Sequence, residues 1–89
     1  LISAKGERLA WDCHQFENLA PLHFEQIVEL NPELVLFGSG DKLRFPKPHL
    51  LESLFSRRIG VETMDTQAAC RTYNFLAAEG RMVVAALLL

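Results

Sequence analysis

The feature that most constrains the fold is the compact apolar run Glu33 to Phe37, broken at once by Gly38-Ser39-Gly40. A short stretch rich in Leu and Val that ends in glycines is how a buried strand entering a tight loop is written. The chain after it alternates. Asp41 to Pro48 is a loop carrying Phe45-Pro46 and Pro48, and those prolines mark entry to a helix over about His49 to Arg57, with Leu51, Leu54 and Phe55 on its buried side and Gly60 able to end it. Val61 to Met64 is a short strand. Asp65-Thr66 then supplies side-chain acceptors to cap a helix that runs to about Glu79, with Gly80 in the C-terminal capping position. Arg81 leads into Met82 to Leu89, a continuous apolar strand of the kind covered on both faces. Strand, helix, strand, helix, strand with crossovers of this length predicts right-handed parallel units and an α/β sheet layered with helices.

Upstream, Leu1 to Ala4 and Arg8 to Trp11 flank the turn Lys5-Gly6, a hairpin pattern that would extend or flank the sheet as a non-parallel element. Asp12 to Pro21 is polar and irregular. Phe24, Ile27, Val28 and Leu30 approximate a helical stripe, which predicts a short helix from about Leu22 to Leu30, stopped by Asn31-Pro32. On the last helix, Ala68, Ala69, Thr72, Phe75 and Leu76 read as the core-facing stripe with Tyr73 at its margin. Cys70 and Asn74 then fall on the opposite side, flanked by Arg71.

Size and charge narrow the function classes. The 89 residues, 49% of them hydrophobic, fit a single domain, and at this size folding buries only somewhat over about 60% of the unfolded chain's surface. Nine Lys plus Arg against eleven Asp plus Glu leave a net charge of -2, which gives no electrostatic reason to expect nucleic acid or acidic lipid as partner. Cys13 and Cys70 lack the dense spacing of a secreted disulfide scaffold, so a reduced intracellular setting is expected. The longest apolar run is too short to cross a bilayer, which predicts a soluble chain. Because it opens on Leu1 inside a strand-like segment, N-terminal residues of a longer polypeptide are expected to be missing.

Four groups of residues invite chemistry. Gly38-Ser39-Gly40 suggests dinucleotide binding, since glycines after a strand let backbone amides approach a pyrophosphate. The fingerprint is incomplete: Leu43 stands where a third glycine is needed, no helix follows directly, and Asp41 puts negative charge where phosphate would sit. A tight structural turn is the simpler reading. Parallel strands would bring Ser39 and the start of the Asp65 helix to one crevice, where Lys42, Arg44 and His49 would favour a small anion and Asp41 and Asp65 oppose it. Cys70 beside Arg71 reads either as an activated thiolate or recognition surface, or as a covered thiol next to a surface arginine. His14, His23 and His49 sit in no arrangement that predicts a dyad with Cys70, and Cys13-His14 lacks the second ligand pair a metal needs. No catalytic residue, metal or cofactor is nominated.

Leu36-Phe37-Gly38-Ser39-Gly40, Phe45-Pro46, Gly60-Val61-Glu62, Met64-Asp65-Thr66, Ala68-Ala69-Cys70-Arg71-Thr72-Tyr73-Asn74, Leu76, Glu79-Gly80-Arg81 and Val83 together resemble a known family. It is the domain-of-unknown-function family that includes mitochondrial complex I assembly factor 3 and many uncharacterised bacterial and archaeal proteins. The resemblance implies a three-layer α/β/α fold with a mixed, mainly parallel sheet, further strand residues before Leu1, and no established enzymatic activity. For mitochondrial members it implies a role in assembling respiratory complex I through protein contacts; a bacterial member would be cytoplasmic. The resulting expectation is a non-catalytic protein-interaction domain, with Gly38, Ser39, Gly40, Asp65, Thr66, Cys70, Arg71 and Asn74 as the candidate partner or ligand surface. The alternative is a small-molecule or anion-binding protein or enzyme using the crevice beside Gly38-Ser39-Gly40.

Overall fold

The apolar run does become the centre of a sheet. The structure, a computed structural model, describes residues 1–11 and 13–89, so Asp12 of the expected irregular segment lies outside the described residues. Strand β1 (Leu34–Gly38) is flanked on one side by β2 (Gly60–Met64) and on the other by β3 (Val83–Leu87), both parallel to it. The register pairs Leu34 with Gly60 and with Val83, and Gly38 with Met64 and with Leu87. Ile2 makes isolated antiparallel bridges to Arg8 and to Ala85, so the expected hairpin is present, with Gly6 at φ +86° in its turn, and lies against β3. The sheet is therefore mixed and mainly parallel.

Its order explains the layers. The chain leaves β1 for β2 on one side, then passes back over β1 to reach β3. With crossovers of one hand, that reversal requires the two connecting helices to lie on opposite faces. Helix α2 (Glu52–Ser56), reached through a 3-10 turn at Pro48–Leu51, packs with α1 (Pro21–Val28) on one face. Helix α3 (Thr66–Ala78) covers the other. Alternate β1 side chains serve the two cores: Val35 and Phe37 join Trp11, Phe24, Ile27, Leu54 and Val84 on the α1–α2 side, while Leu36 joins Ala69, Tyr73, Val83 and Ala85 under α3. Burying each of the larger side chains contributes about 1.5–3 kcal/mol.

The α1–α2 core contains a polar exception. Trp11 stacks edge-on against His23, Phe24 and Phe37 with ring centroids 6.0–6.4 Å apart, and its Nε1–H donates to the His23 carbonyl at 2.9 Å. His23 is buried at the third position of α1, where its Nδ1 accepts the Ala20 N–H at 2.9 Å and so satisfies a donor that the helix start leaves open. Pro21 opens the helix, as its fixed φ favours.

Three sequence expectations need correction. Phe55 is half exposed, leaving Leu51 and Leu54 as the buried side of the second helical segment. Gly60 does not end that segment: Arg58, at φ +58°, takes the left-handed capping position, and Gly60 is already the first residue of β2. The stripe on α3 is rotated by about 100°, one residue, because Tyr73 points inward to donate its hydroxyl proton to the Ser3 carbonyl of the hairpin. Ala69 and Tyr73 are buried, and Phe75 projects outward at 65% exposure.

Candidate functional site

At the carboxyl edge of the sheet the glycine loop meets the start of α3, and one hydroxyl links three segments. Thr66 Oγ1 accepts the Gly40 N–H at 2.9 Å and donates to the Leu88 carbonyl at 2.5 Å, while the Thr66 N–H donates to the Gly40 carbonyl at 2.8 Å. The Leu88 N–H closes the set by donating to the Gly38 carbonyl at 2.9 Å. Close approach here depends on Gly38, because a Cβ at that position would stand 2.9 Å from Leu87 Cδ2 and 3.0 Å from the Thr66 Cα. Gly40, at φ +100°, makes the turn. Asp65 caps α3 through Oδ1, which accepts the Ala68 N–H at 2.9 Å.

Ser39 is fully buried and occupied. Its hydroxyl donates to the Lys42 carbonyl at 2.6 Å, lies 3.3 Å from the Met64 carbonyl and accepts the Arg44 N–H at 3.0 Å. These bonds fold residues 39–44 into a closed loop. The side chain holds the turn and presents no free hydroxyl to the surface.

Gly38, Ser39, Gly40, Asp65 and Thr66 are thus brought together as the strand order implies. Two shallow hollows border them. One, of about 420 Å³, runs from Gly40 and Asp41 past Arg44 to Phe16 and Glu17. The other, of about 290 Å³, is lined by Asp41, Asp65, Thr66 and Gln67. The cations expected to favour an anion do not converge there. Arg44 pairs with Glu17 at 3.1 Å and lies over the Phe16 ring at 4.7 Å, and His49 lies in a different hollow. Glu17 is held below the ordinary carboxylate value of 4.5, first by a bond from its own backbone amide and then by Arg44.

The remaining candidates lie farther along α3 and differ in exposure. Cys70 is half buried and borders a hollow of about 370 Å³ beside Leu1, Leu9 and Leu87. Arg71 and Asn74 are exposed, with Phe75 one turn beyond Arg71. Arg71 belongs to neither of the two ion pairs found among the described residues, Arg44 with Glu17 and Arg81 with Glu33. Cys13 is buried in the α1–α2 core, and among the described residues no group of His, Cys, Asp or Glu is arranged to hold a metal. Sequence reasoning missed Phe75 and the linking role of Thr66. A signal for Phe75 was present: at 100° per residue it falls about 160° from Tyr73, so a stripe centred on the Tyr excludes it.

The family model described as "Protein of unknown function (DUF498/DUF598)" matches residues 1–88. The chain belongs to that family. Among its relatives is the Bos taurus protein named NADH dehydrogenase [ubiquinone] 1 alpha subcomplex assembly factor 3, 38% identical over 80 residues that make up 88% of this chain and 44% of the bovine protein. A Francisella tularensis protein named 13 kDa major membrane protein is 31% identical over 67 residues, covering 75% of this chain and 54% of that one. The crystal structure of a Bordetella parapertussis protein superposes with a TM-score of 0.89 at 39% identity, covering 98% of this chain and 75% of that one. The chain spans less than half the length of the assembly-factor relative, and no helix among the described residues is long and apolar enough to cross a membrane.

Proposed function

We propose that this domain is a non-catalytic protein-interaction module that helps assemble a larger complex, by analogy with the relatives named as assembly factors of the NADH dehydrogenase 1 alpha subcomplex. The observation that supports this most directly is the outer face of α3. Phe75, 65% exposed, follows Arg71 by four residues with Asn74 beside it, an apolar anchor with a guanidinium and an amide on an ordered helix. The polar groups at the sheet edge are by contrast committed internally: Ser39 to the loop, Thr66 to two chain segments, Asp65 to its helix.

Affinity capture from native lysate tests the reading. Wild-type protein should recover a specific partner that Arg71→Glu and Phe75→Ser variants lose, while variants in the Gly38-Ser39-Gly40 loop that still fold retain it. No specific partner, or an identical set with every variant, defeats the proposal.

The hollows beside Gly40 favour one other reading, a small-ligand site at the carboxyl ends of the strands. A thermal-shift screen of phosphates, nucleotides and carboxylates addresses it. Stabilisation lost on Arg44→Ala would support that reading, and no stabilisation by any compound would remove it.

A further inference from the structure

On the face of the molecule opposite α3, α1 and the segment from Pro48 to α2 enclose an open groove of about 610 Å³. Its walls include Pro21, Leu50 and Phe55, and Phe55 is 52% exposed although the sequence pattern would bury it. Two carboxylates, Glu25 from α1 and Glu52 from α2, stand among these apolar groups, with the imidazole of His49 also on the lining. Neither belongs to an ion pair found among the described residues. Ser53 also lines the groove, and its hydroxyl is the one buried side-chain polar atom without a hydrogen-bond partner among the described residues.

We infer that this groove is a second docking site and that its occupant is a short polypeptide segment carrying an aromatic or branched aliphatic anchor with Lys or Arg on either side. The inference rests on the reading of the domain as an interaction module and adds a surface on its opposite face. Charge decides the chemistry of the occupant. The exposed Phe55 ring offers a surface for an apolar anchor, and unpaired carboxylates on both walls select a cationic partner. The same carboxylates repel an anionic lipid surface. With one recognition face on α3 and another between α1 and α2, the sheet becomes a spacer that holds two partners on opposite sides.

Selection from a random peptide display library, followed by fluorescence anisotropy of the strongest binder, tests this. Selected sequences should carry Phe, Leu or Ile flanked by basic residues, and binding should weaken as salt rises. Combining Glu25→Lys with Glu52→Lys should weaken the peptide about tenfold, and exchanging the peptide's basic residues for Glu should restore affinity for that variant. Phe55→Ala should also cost about tenfold, while Arg71→Glu and Phe75→Ser leave the peptide unaffected. Each variant is first shown to melt cooperatively, so that lost binding is not lost folding. Selection of no peptide, peptides without basic residues, or equal binding to the charge-reversed protein overturns the inference. So does Phe55-dependent binding to phosphatidylserine vesicles without peptide binding. If lysate capture depends on Arg71 and Phe75 but the groove takes no peptide, the module reading stands and this inference alone fails.

Discussion

Replacing Arg58 by glycine should stabilise the protein, against the usual direction of a mutation. The segment ending at Ser56 closes with paired bonds, Arg58 N–H to the Phe55 carbonyl at 2.9 Å and Ile59 N–H to the Leu54 carbonyl at 2.9 Å. This pattern requires a left-handed residue at Arg58, which sits at φ +58°. Helix α3 ends the same way, with Gly80 N–H to the Ala77 carbonyl and Arg81 N–H to the Leu76 carbonyl, and there a glycine occupies the position at φ +80°. A side chain in that conformation costs about 1–2 kcal/mol, and the extra freedom glycine loses on folding returns about 0.5–1 kcal/mol. The net expectation for Arg58→Gly is about 0.5–1 kcal/mol of added stability, or about 3–6 °C in Tm for a domain of this size. Arg58→Ala keeps the Cβ and removes the guanidinium, so it should stay within about 0.5 kcal/mol of wild type. Gly80→Ala supplies the reverse perturbation: an added Cβ there meets nothing within 4 Å, so its destabilisation, about 0.5–1 kcal/mol, is purely conformational. Thermal unfolding followed by circular dichroism reads all three. An Arg58→Gly protein melting no higher than both wild type and Arg58→Ala would refute the account of the cap.

Gly38→Ala should destabilise by about 1–3 kcal/mol, since the new methyl meets the backbone of Thr66, which cannot rotate aside, as well as Leu87; a denaturant titration measures it. Thr66→Val keeps the shape but strands the Gly40 N–H and the Leu88 carbonyl, a loss of about 1–3 kcal/mol that Thr66→Ser should largely avoid. Glu33 is held below the ordinary value of 4.5 by its bond to Arg81 at 2.6 Å, so its contribution is present above pH 4.5 and is lost as pH falls through the lower folded value. Melting curves across that range should bring wild type and Glu33→Gln together in acid and separate them above it; a constant difference would show that the bond does not carry the dependence.

The alternation from Glu33 onward was legible because the strands are short and bounded by glycine, by Asp65 or by a helical stripe, and each of the five expected elements has a counterpart in the structure, although Arg58 and not Gly60 closes the second helical segment. Packing phase was less legible. Phe55 and Phe75 are apolar and fall close to plausible stripes, yet both face outward, because Leu54 and Tyr73 take the inward positions and Tyr73 is fixed by a carbonyl in a hairpin 70 residues away. A polar acceptor so distant leaves no trace in local periodicity. In the sequence His23 stood in no arrangement that predicts a dyad with Cys70 and was given no other role, whereas its ring cap to Ala20 and its contact with Trp11 make it part of the core. At the sheet edge, the sequence expected Ser39 and the start of the Asp65 helix to border one crevice, and the structure joins the glycine loop to that helix through Gly40 and Thr66. The Asp65 cap was legible as well, whereas the bonds of the Ser39 hydroxyl become visible only when the Lys42 and Met64 carbonyls are in place.

The two ends of the sheet are fastened by different chemistry. At the amino edge, Arg81 reaches Glu33 through an ion pair that both side chains make while about half exposed. At the carboxyl edge, the Thr66 hydroxyl ties Gly40 and Leu88 without any ionisable group. Salt and acid weaken the Glu33–Arg81 tie and leave the Thr66 bonds in place, which gives the paired strands β1 and β3 a preferred direction of fraying. Amide exchange in mild acid should accelerate first at Glu33, whose N–H bonds the Met82 carbonyl, and last at Leu88, so the domain loosens away from its glycine loop while the paired carboxyl ends of β1 and β3 stay closed.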